Sequence, residues 1–444
     1  MRSITMVSAL RGPFLSYTGN PFEADDPSCF HYESDGLILI DRGRIRSAGA
    51  YDPAVLPAGV VPVHYPDHLI IPGFIDAHVH YPQMPMIGAH GRQLLDWLNH
   101  YVFETEQRYS DIDFARIVAK AFLRESLRAG VTTPITYCTV HPESVDAYFE
   151  EASKLGLRTG AGKVMMDRNA PAGLRDTAQT GYDQSKRLAA RWHGHGRLFY
   201  AVTPRFAPTS TEAQLELAGT LRREINGLYM QTHLSENRAE LAWVADLFPA
   251  SRDYLDVYDR FGLVGRRCLF GHAIHLSERE WARLAEAEAT VVHCPTSNLF
   301  LGSGLFNLKR ALVSANPVRT ALGSDLGAGT NFSPLATLAE AYKIAQLRGD
   351  ALSPHQAFYL ATLGSARAID QAEHIGRIAP GQDADLVVLD PKATPLLAAR
   401  HGFVTSLEEL LFVLMTLGSD RVVRATYVAG YKRHDRDDPA GVAA

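Results

Sequence analysis

The stretch Phe74-Ile75-Asp76-Ala77-His78-Val79-His80 ends an apolar run that begins at Leu69, and two histidines stand two positions apart at its end. We expect a β strand over residues 69–74, with the histidines close behind it. Residues two apart in an extended segment point to the same side, so both imidazoles can reach one metal ion. Two polar residues at a strand end would give the same pattern, so its meaning depends on the other strands.

Short apolar runs recur through the middle of the chain, at residues 131–137, 162–166, 198–202, 228–232, 268–271, 290–292 and 318–322. Between several of them lie amphipathic segments with apolar residues at helical spacing, such as 113–129 and 278–288. Eight strands that alternate with helices predict a (β/α)₈ barrel of the TIM type.

Both ends of the chain carry strand patterns of a different kind. The N-terminal part contains two short strand-like segments that could form a hairpin, residues 36–40 and 44–48. The C-terminal part contains two similar segments, residues 384–389 and 422–428. We therefore expect a small composite β-sandwich built from residues 1–69 and 371–444. The α/β barrel is expected over residues 70–370.

Three more metal-binding side chains end predicted strands. His233, His272 and Asp325 close the fifth, sixth and eighth strands, and the carboxyl ends of barrel strands form one rim. A set dominated by imidazole suits zinc or iron better than magnesium or calcium, although any one histidine could be structural. A bound metal lowers the pKa of its water to about 7, and Asp325 can bind the metal and accept the proton of that water. Glu236, three residues after His233, is placed to shuttle protons; the alternative is a surface glutamate in a loop.

Composition excludes several other classes. Hydrophobic residues make up 46% and charged residues 21% of 444, and the net charge is −5 with no basic stripe. This argues against a nucleic-acid partner. The first residues lack the apolar run of a signal peptide and no stretch reaches transmembrane length, so we expect a cytoplasmic protein without a membrane partner. The four cysteines form no C-x-x-C pair, which argues against a disulfide framework or zinc ribbon.

The segment from Pro72 to His80 resembles the metal-binding signature of the amidohydrolase superfamily. Further segments across nearly the whole chain are similar to the guanine deaminase family within it: Tyr81-Pro82-Gln83, Leu95-Asp96-Trp97-Leu98-Asn99, Thr105-Glu106, Thr203-Pro204-Arg205-Phe206-Ala207-Pro208-Thr209, His233-Leu234-Ser235-Glu236-Asn237, and the run from His293-Cys294-Pro295-Thr296-Ser297-Asn298 to Leu301-Gly302-Ser303-Gly304. One departure is Glu104, where the family pattern has proline, and it predicts a changed loop near the pocket mouth.

The resemblance implies a barrel with a composite β-sandwich, one zinc ion per subunit, hydrolysis of guanine to xanthine and ammonia, and a homodimer. The residues that match zinc ligands are His78, His80, His233 and Asp325. His272 matches a position beside the metal, as a ligand or against the metal-bound hydroxide, and counts with Glu236 and Asp325 as catalytic.

The resemblance also implies a purine-binding set of Gln83, Arg205 and Phe206, to which we add His233. A guanidinium or amide donor can satisfy the O6 carbonyl of guanine, and Phe206 can pack on the ring face. Arg205 could instead form an ion pair that supports the rim.

Several alternatives remain. Another ring, such as 8-oxoguanine, cytosine, a triazine or an adenosine-derived nucleoside, would use the same metal site. A catalytically silent barrel could serve as a scaffold, although such a chain is expected to lack a ligand or the proton shuttle. The cytidine-deaminase class requires P-C-x-x-C, which the chain does not contain. His193 and His195 also spell H-x-H, but they lie in a glycine-containing polar segment expected on the surface.

Overall fold

Strands from both ends of the chain join in one sheet. The computed structural model describes residues 7–23, 27–90 and 97–438. Five strands come from the N-terminal part and three from the C-terminal part: β1 (Ser8–Tyr17), β2 (Phe30–Asp41), β3 (Arg44–Ala50), β4 (Val63–His64), β5 (Leu69–Pro72), β15 (Leu386–Leu389), β16 (Val423–Val428) and β17 (Tyr431–Asp435). Their order is β17-β16-β15-β5-β1-β2-β3, with β4 beside β1. β5 lies between β15 and β1, and all four of its residues are buried. Leu69 and Ile71 pack into one apolar cluster, and Ile70 packs into another on the opposite face of the sheet.

A second sheet consists of parallel strands. Its members are β6 (Phe74–His80), β7 (Val131–Tyr137), β8 (Thr159–Gly162), β9 (Val164–Met165), β10 (Leu198–Pro204), β11 (Tyr229–Leu234), β12 (Cys268–His272), β13 (Thr290–His293) and β14 (Arg319–Leu322). Eight of them follow the order β6-β7-β8-β10-β11-β12-β13-β14, with β9 beside β10. The strands are apolar and buried, as expected where helices cover one face and a core fills the other.

Helices alternate with these strands. The α-helices of the described residues span Phe103–Glu106, Ile112–Arg128, Pro142–Leu155, Ala178–Trp192, Glu212–Glu224, Arg238–Leu247, Tyr254–Asp259, Glu278–Glu286, Pro295–Phe300, Leu308–Leu312, Pro334–Leu347, Pro354–Tyr359, Ser365–Ala368, Pro395–His401 and Leu407–Leu417. The second begins where the carboxylate of Asp111 accepts from the backbone N–H groups of Asp113 and Phe114, and it buries one apolar face. None of the helices in the described parts of the chain is long and apolar enough to cross a membrane.

The first and last barrel strands are joined at their carboxyl ends. The carboxylate of Asp76 accepts from the backbone N–H of Ser324 at 2.9 Å and from its hydroxyl at 2.5 Å. The backbone N–H of Asp325 donates to the carbonyl of His78 at 2.8 Å. The predicted fold class is therefore confirmed: a nearly closed α/β barrel and a separate sheet from the two termini. The boundaries at residues 69/70 and 370/371 stay a prediction.

The predicted first barrel strand was wrong in its position. Residues 69–72 belong to the terminal sheet, and the barrel strand is Phe74–His80. Both strands are fully buried, so their residues read as one apolar run. Gly73 separates them where a Cβ would lie 2.0 Å from the Thr132 hydroxyl, and this close approach requires glycine. The third strand also begins earlier than predicted, at Thr159.

Candidate active site

Five side chains converge at the carboxyl rim of the barrel. His78 and His80 end β6, His233 lies in β11, His272 ends β12, and Asp325 follows β14. The Nε2 atoms of His78 and His80 lie 3.4 and 3.3 Å from Asp325 Oδ1. The Nε2 atoms of His80 and His233 are 3.2 Å apart. Donor atoms of His78, His80, His233 and Asp325 all lie within 4.8 Å of one another, so these four residues could hold one metal ion.

Unpartnered nitrogen atoms support this interpretation. Nε2 of His78, Nδ1 of His80 and Nε2 of His272 are buried without a hydrogen-bond partner in the described part of the chain. Burial lowers the pKa of His80 to about 3 and holds the pKa of His233 well below its usual range. These imidazoles are therefore neutral at pH 7, which is the form that coordinates a metal. The donor set fits a metal of the zinc and iron type.

An acceptor anchors the Nδ1 nitrogen of two of these histidines. Nδ1 of His233 donates to the carbonyl of Arg205 at 2.7 Å, and Nδ1 of His272 donates to Asn298 Oδ1 at 2.9 Å. Such bonds fix the tautomer, so that Nε2 of each ring faces the cluster with a lone pair. His272 Nε2 lies 3.8 Å from Asp325 and 3.4 Å from Glu236, between the cluster and the carboxyl group.

The backbone turns sharply behind three of the strand ends. Ser235, His272 and Asp325 have φ angles of 51°, 68° and 48°, in the left-handed region that favours glycine. Conformations of this kind persist where the surrounding structure fixes them, and they concentrate at functional sites. Here they direct the chain so that side chains from separate strands point at one centre.

Glu236 is buried beside the cluster rather than exposed in a loop. Its side chain accepts a hydrogen bond from the Ser303 hydroxyl at 3.0 Å. Burial, with a further contribution from the nearby Asp325 carboxylate, raises the pKa of Glu236 to about 8. The carboxyl group therefore carries a proton at neutral pH and can act as an acid.

The cluster forms the floor of a pocket that encloses about 380 Å³, solvent at its mouth included. The lining includes all four predicted purine contacts, Gln83, Arg205, Phe206 and His233. Its other residues include the apolar side chains of Trp97, Leu98, Leu301 and Ala328. A pocket of this size, with apolar walls and several converging polar groups, suits a small polar ring molecule. Leu95 and Asp96 of the quoted motif lie outside the described residues.

Sequence reasoning missed Glu106 as a member of the site. This buried carboxylate accepts from Arg205 Nη1 at 2.7 Å and from Gln83 Nε2 at 3.3 Å. The ion pair that was the alternative for Arg205 therefore exists inside the pocket wall. Glu104 lies on the exposed face of the same short helix, because residues two apart on a helix point to nearly opposite sides.

Asn298 and Ser303 were quoted only as part of a motif, and their bonds to His272 and Glu236 give them positions in the site. The only signal for these residues was their place in the run from His293 to Gly304. His195, of the second H-x-H pair, is exposed in the turn before β10, as predicted.

Comparisons with known proteins place this geometry in a family. Residues 69–432 match the model of the amidohydrolase family. The chain is 48% identical to guanine deaminase of Escherichia coli over 97% of its own length and 98% of the relative. The solved structure of the E. coli enzyme superposes with a TM-score of 0.93 at 47% identity, covering 97% of this chain and 99% of that one.

Two other solved structures agree. Guanine deaminase of Bradyrhizobium japonicum gives a TM-score of 0.94 at 36% identity, over 97% of this chain and 100% of the other. Guanine deaminase of C. acetobutylicum, solved with guanine in its active site, gives 0.85 at 29% identity, over 96% and 100%. The chain therefore belongs to the amidohydrolase family, and it is a hydrolytic enzyme.

Proposed function

We propose that this enzyme hydrolyses guanine to xanthine and ammonia with one zinc ion per subunit. The observation that carries the proposal is the shared pocket: the buried Glu236 carboxyl group, residues of the His/Asp cluster and the Arg205 guanidinium all line one cavity. Relatives named guanine deaminase over nearly the whole chain, one of them solved with bound guanine, support the same substrate. The proposal includes the homodimer that the resemblance implies and the cytoplasmic location expected from the sequence.

In this proposal His78, His80, His233 and Asp325 hold the metal, and His272 lies in contact with it or with the attacking water. An imidazole-rich set favours zinc, with iron as the alternative. When bound, such an ion supplies the Lewis acidity that makes water nucleophilic at neutral pH. The chain provides neutral imidazoles for this ion, and hydrogen bonds hold the rings of His233 and His272 in place.

Proton transfer is assigned to two carboxyl groups. The Asp325 carboxylate accepts a proton from the attacking water, while Glu236 gives its proton to N3 of guanine. A bond forms between the water oxygen and C2 of the ring. The Glu236 carboxylate, now without its proton, takes the proton of the new C2 hydroxyl group and passes it to the exocyclic nitrogen. The bond from C2 to that nitrogen then breaks, a carbonyl forms at C2 and ammonia leaves, and the proton held by Asp325 returns to Glu236. His272 Nε2, 3.4 Å from Glu236 and 3.8 Å from Asp325, lies on the path between these groups.

Binding of the ring is assigned to the pocket wall. Arg205 makes one ion pair, with Glu106, and its remaining guanidinium donors can meet the O6 carbonyl of guanine. Phe206 can pack on the ring face, and its own ring lies 6.5 Å from that of His233. A ring that lacks the carbonyl would leave these remaining buried donors of Arg205 without an acceptor, which disfavours such a ring strongly.

Ammonia release by the zinc-loaded protein tests the proposal. Guanine, 8-oxoguanine, adenine, cytosine and an amino-triazine are compared, with Glu236→Gln as the inactive variant and the exposed Glu286→Gln as its control. We expect guanine to react fastest and Glu236→Gln to lose about 10²-fold or more, since positioned acids contribute about 10²- to 10⁴-fold. Turnover of another ring while guanine is inert would contradict the substrate. No ammonia from any ring would favour a silent scaffold.

A further inference from the structure

Glu106 is a carboxylate fully enclosed in the pocket wall that the reaction itself does not use. Its side chain is 0% exposed and ends the short helix Phe103–Glu106. One oxygen accepts from Arg205 and the other from Gln83, and both partners line the pocket. A buried carboxylate with two donors of this kind is costly unless both bonds are kept.

These bonds determine which end of the Gln83 amide faces the pocket. A carboxylate oxygen can only accept, so the NH₂ group of Gln83 must point to Glu106. Its carbonyl oxygen Oε1 is then the polar atom left over, and it receives no hydrogen bond from the residues the structure describes. A Cβ on Gly327 would lie 2.0 Å from this oxygen, so glycine at this position leaves the room that the amide oxygen occupies.

Arg205 is fixed by the same carboxylate. A guanidinium is always a donor, and Glu106 engages only its Nη1 atom. The two side chains therefore present different groups to a ligand: Arg205 donors and the Gln83 acceptor. A ring edge with a carbonyl next to an N–H complements this pattern, whereas an amino group next to a bare ring nitrogen reverses it.

We propose that Glu106 is a positioning residue that selects substrates with a cyclic amide edge, by holding Arg205 as donor and Gln83 as acceptor. The inference rests on the proposed function, since O6 and N1–H of guanine form such an edge. Adenine and cytosine carry the reverse pattern at the corresponding edge. Adenine and cytosine would then be rejected because they leave the Arg205 donors and the Gln83 acceptor unpaired, and not because of their size.

The Glu106→Gln substitution tests this directly, because an amide has one acceptor and one donor. If its oxygen keeps the bond to Arg205, its NH₂ faces Gln83 and that amide must flip, which presents a donor where N1–H of guanine also donates. The double variant Glu106→Gln/Gln83→Glu restores the acceptor while the total charge is unchanged. Glu104→Gln, on the exposed face of the same helix, is the matched control.

Guanine kinetics and zinc content are measured for the three variants and the wild type. We expect Glu106→Gln to lower kcat/KM for guanine about 100-fold, mainly through KM, with zinc content unchanged, and the double variant to recover at least tenfold. Glu104→Gln is expected to match the wild type. A single variant with unchanged KM, or a double variant no better than the single one at equal zinc content and melting temperature, would overturn the inference.

Two further readouts separate the inference from the proposed function. If wild-type protein releases no ammonia from guanine, the proposed function fails, and calorimetric binding of guanine to the same variants then tests Glu106 alone. Weaker guanine binding by Glu106→Gln and tighter binding by the double variant would support the role of Glu106. If the wild type does not bind guanine, both the proposed function and the role of Glu106 are overturned. If Glu106→Gln does not fold, the double variant decides: kcat/KM for guanine within about tenfold of the wild type would support the inference, and a loss of about 100-fold at equal zinc content and melting temperature would overturn it.

Discussion

The backbone N–H of Asp325 donates to the carbonyl oxygen of His78 over 2.8 Å. This bond joins the ends of β14 and β6, so the same contact that closes the barrel brings the first and last members of the ligand cluster together. The side chain of His78 is further confined by two glycines. A Cβ on Gly271 would lie 2.5 Å from the His78 ring, and a Cβ on Gly323 would lie 2.7 Å from the Cβ of His78. The hydrogen bond that joins the first and last barrel strands therefore also places His78 beside Asp325.

Substitution of Gly271 by alanine is expected to displace the His78 ring. The added methyl group overlaps the ring, and overpacking of this kind costs about 1–3 kcal/mol. We expect the free energy of unfolding of the metal-free protein to fall by that amount, and the zinc affinity to fall about 10- to 100-fold, as when a ligand loses its support. Urea unfolding and a competitive chelator titration measure the two effects. Gly265→Ala, where no atom lies within 4 Å of the new methyl, is the control; equal affinities of the two variants would contradict the account.

The Ser303→Ala variant probes how Glu236 is held. Its hydroxyl is the hydrogen-bond donor to the buried carboxyl group, at 3.0 Å. Loss of one such bond corresponds to about 1–1.5 kcal/mol, so kcat for guanine should fall about tenfold while zinc content stays at the wild-type value. Steady-state kinetics with metal analysis measures both. Ser333→Ala, a buried serine whose hydroxyl has no partner among the described residues, should leave kcat unchanged. A Ser303→Ala enzyme with wild-type kcat would show that this bond does not position Glu236.

The features predicted well from the sequence are those with local signatures. His78 and His80 share a strand, and His233, His272 and Asp325 each end an apolar run, so barrel geometry alone predicts that they meet. The strand over residues 131–137 was predicted to its ends, and the turn residue Gly130 precedes it. Where two buried strands follow one another across Pro72-Gly73, periodicity contains no signal for the break, and the prediction merged them.

The features missed are long-range pairings. Glu106 bonds to Gln83, 23 residues away, and to Arg205, 99 residues away. Its place in the quoted Thr105-Glu106 motif set it apart from the exposed Glu104, but that motif did not indicate these partners. The same holds for Ser303, which meets Glu236 across 67 residues. Such contacts depend on where the loops lie over the rim of the barrel. The spacing of residues in a single sequence does not specify these loop positions.

The most direct test of the central claim is a metal titration. Protein freed of metal by a chelator receives zinc from zero to three equivalents per chain, and ammonia release from guanine is followed at each point. Because one cluster of four donor residues surrounds the pocket floor, we predict that activity rises linearly and reaches its plateau at one equivalent. A plateau at two equivalents, or activity independent of added metal, would contradict the account.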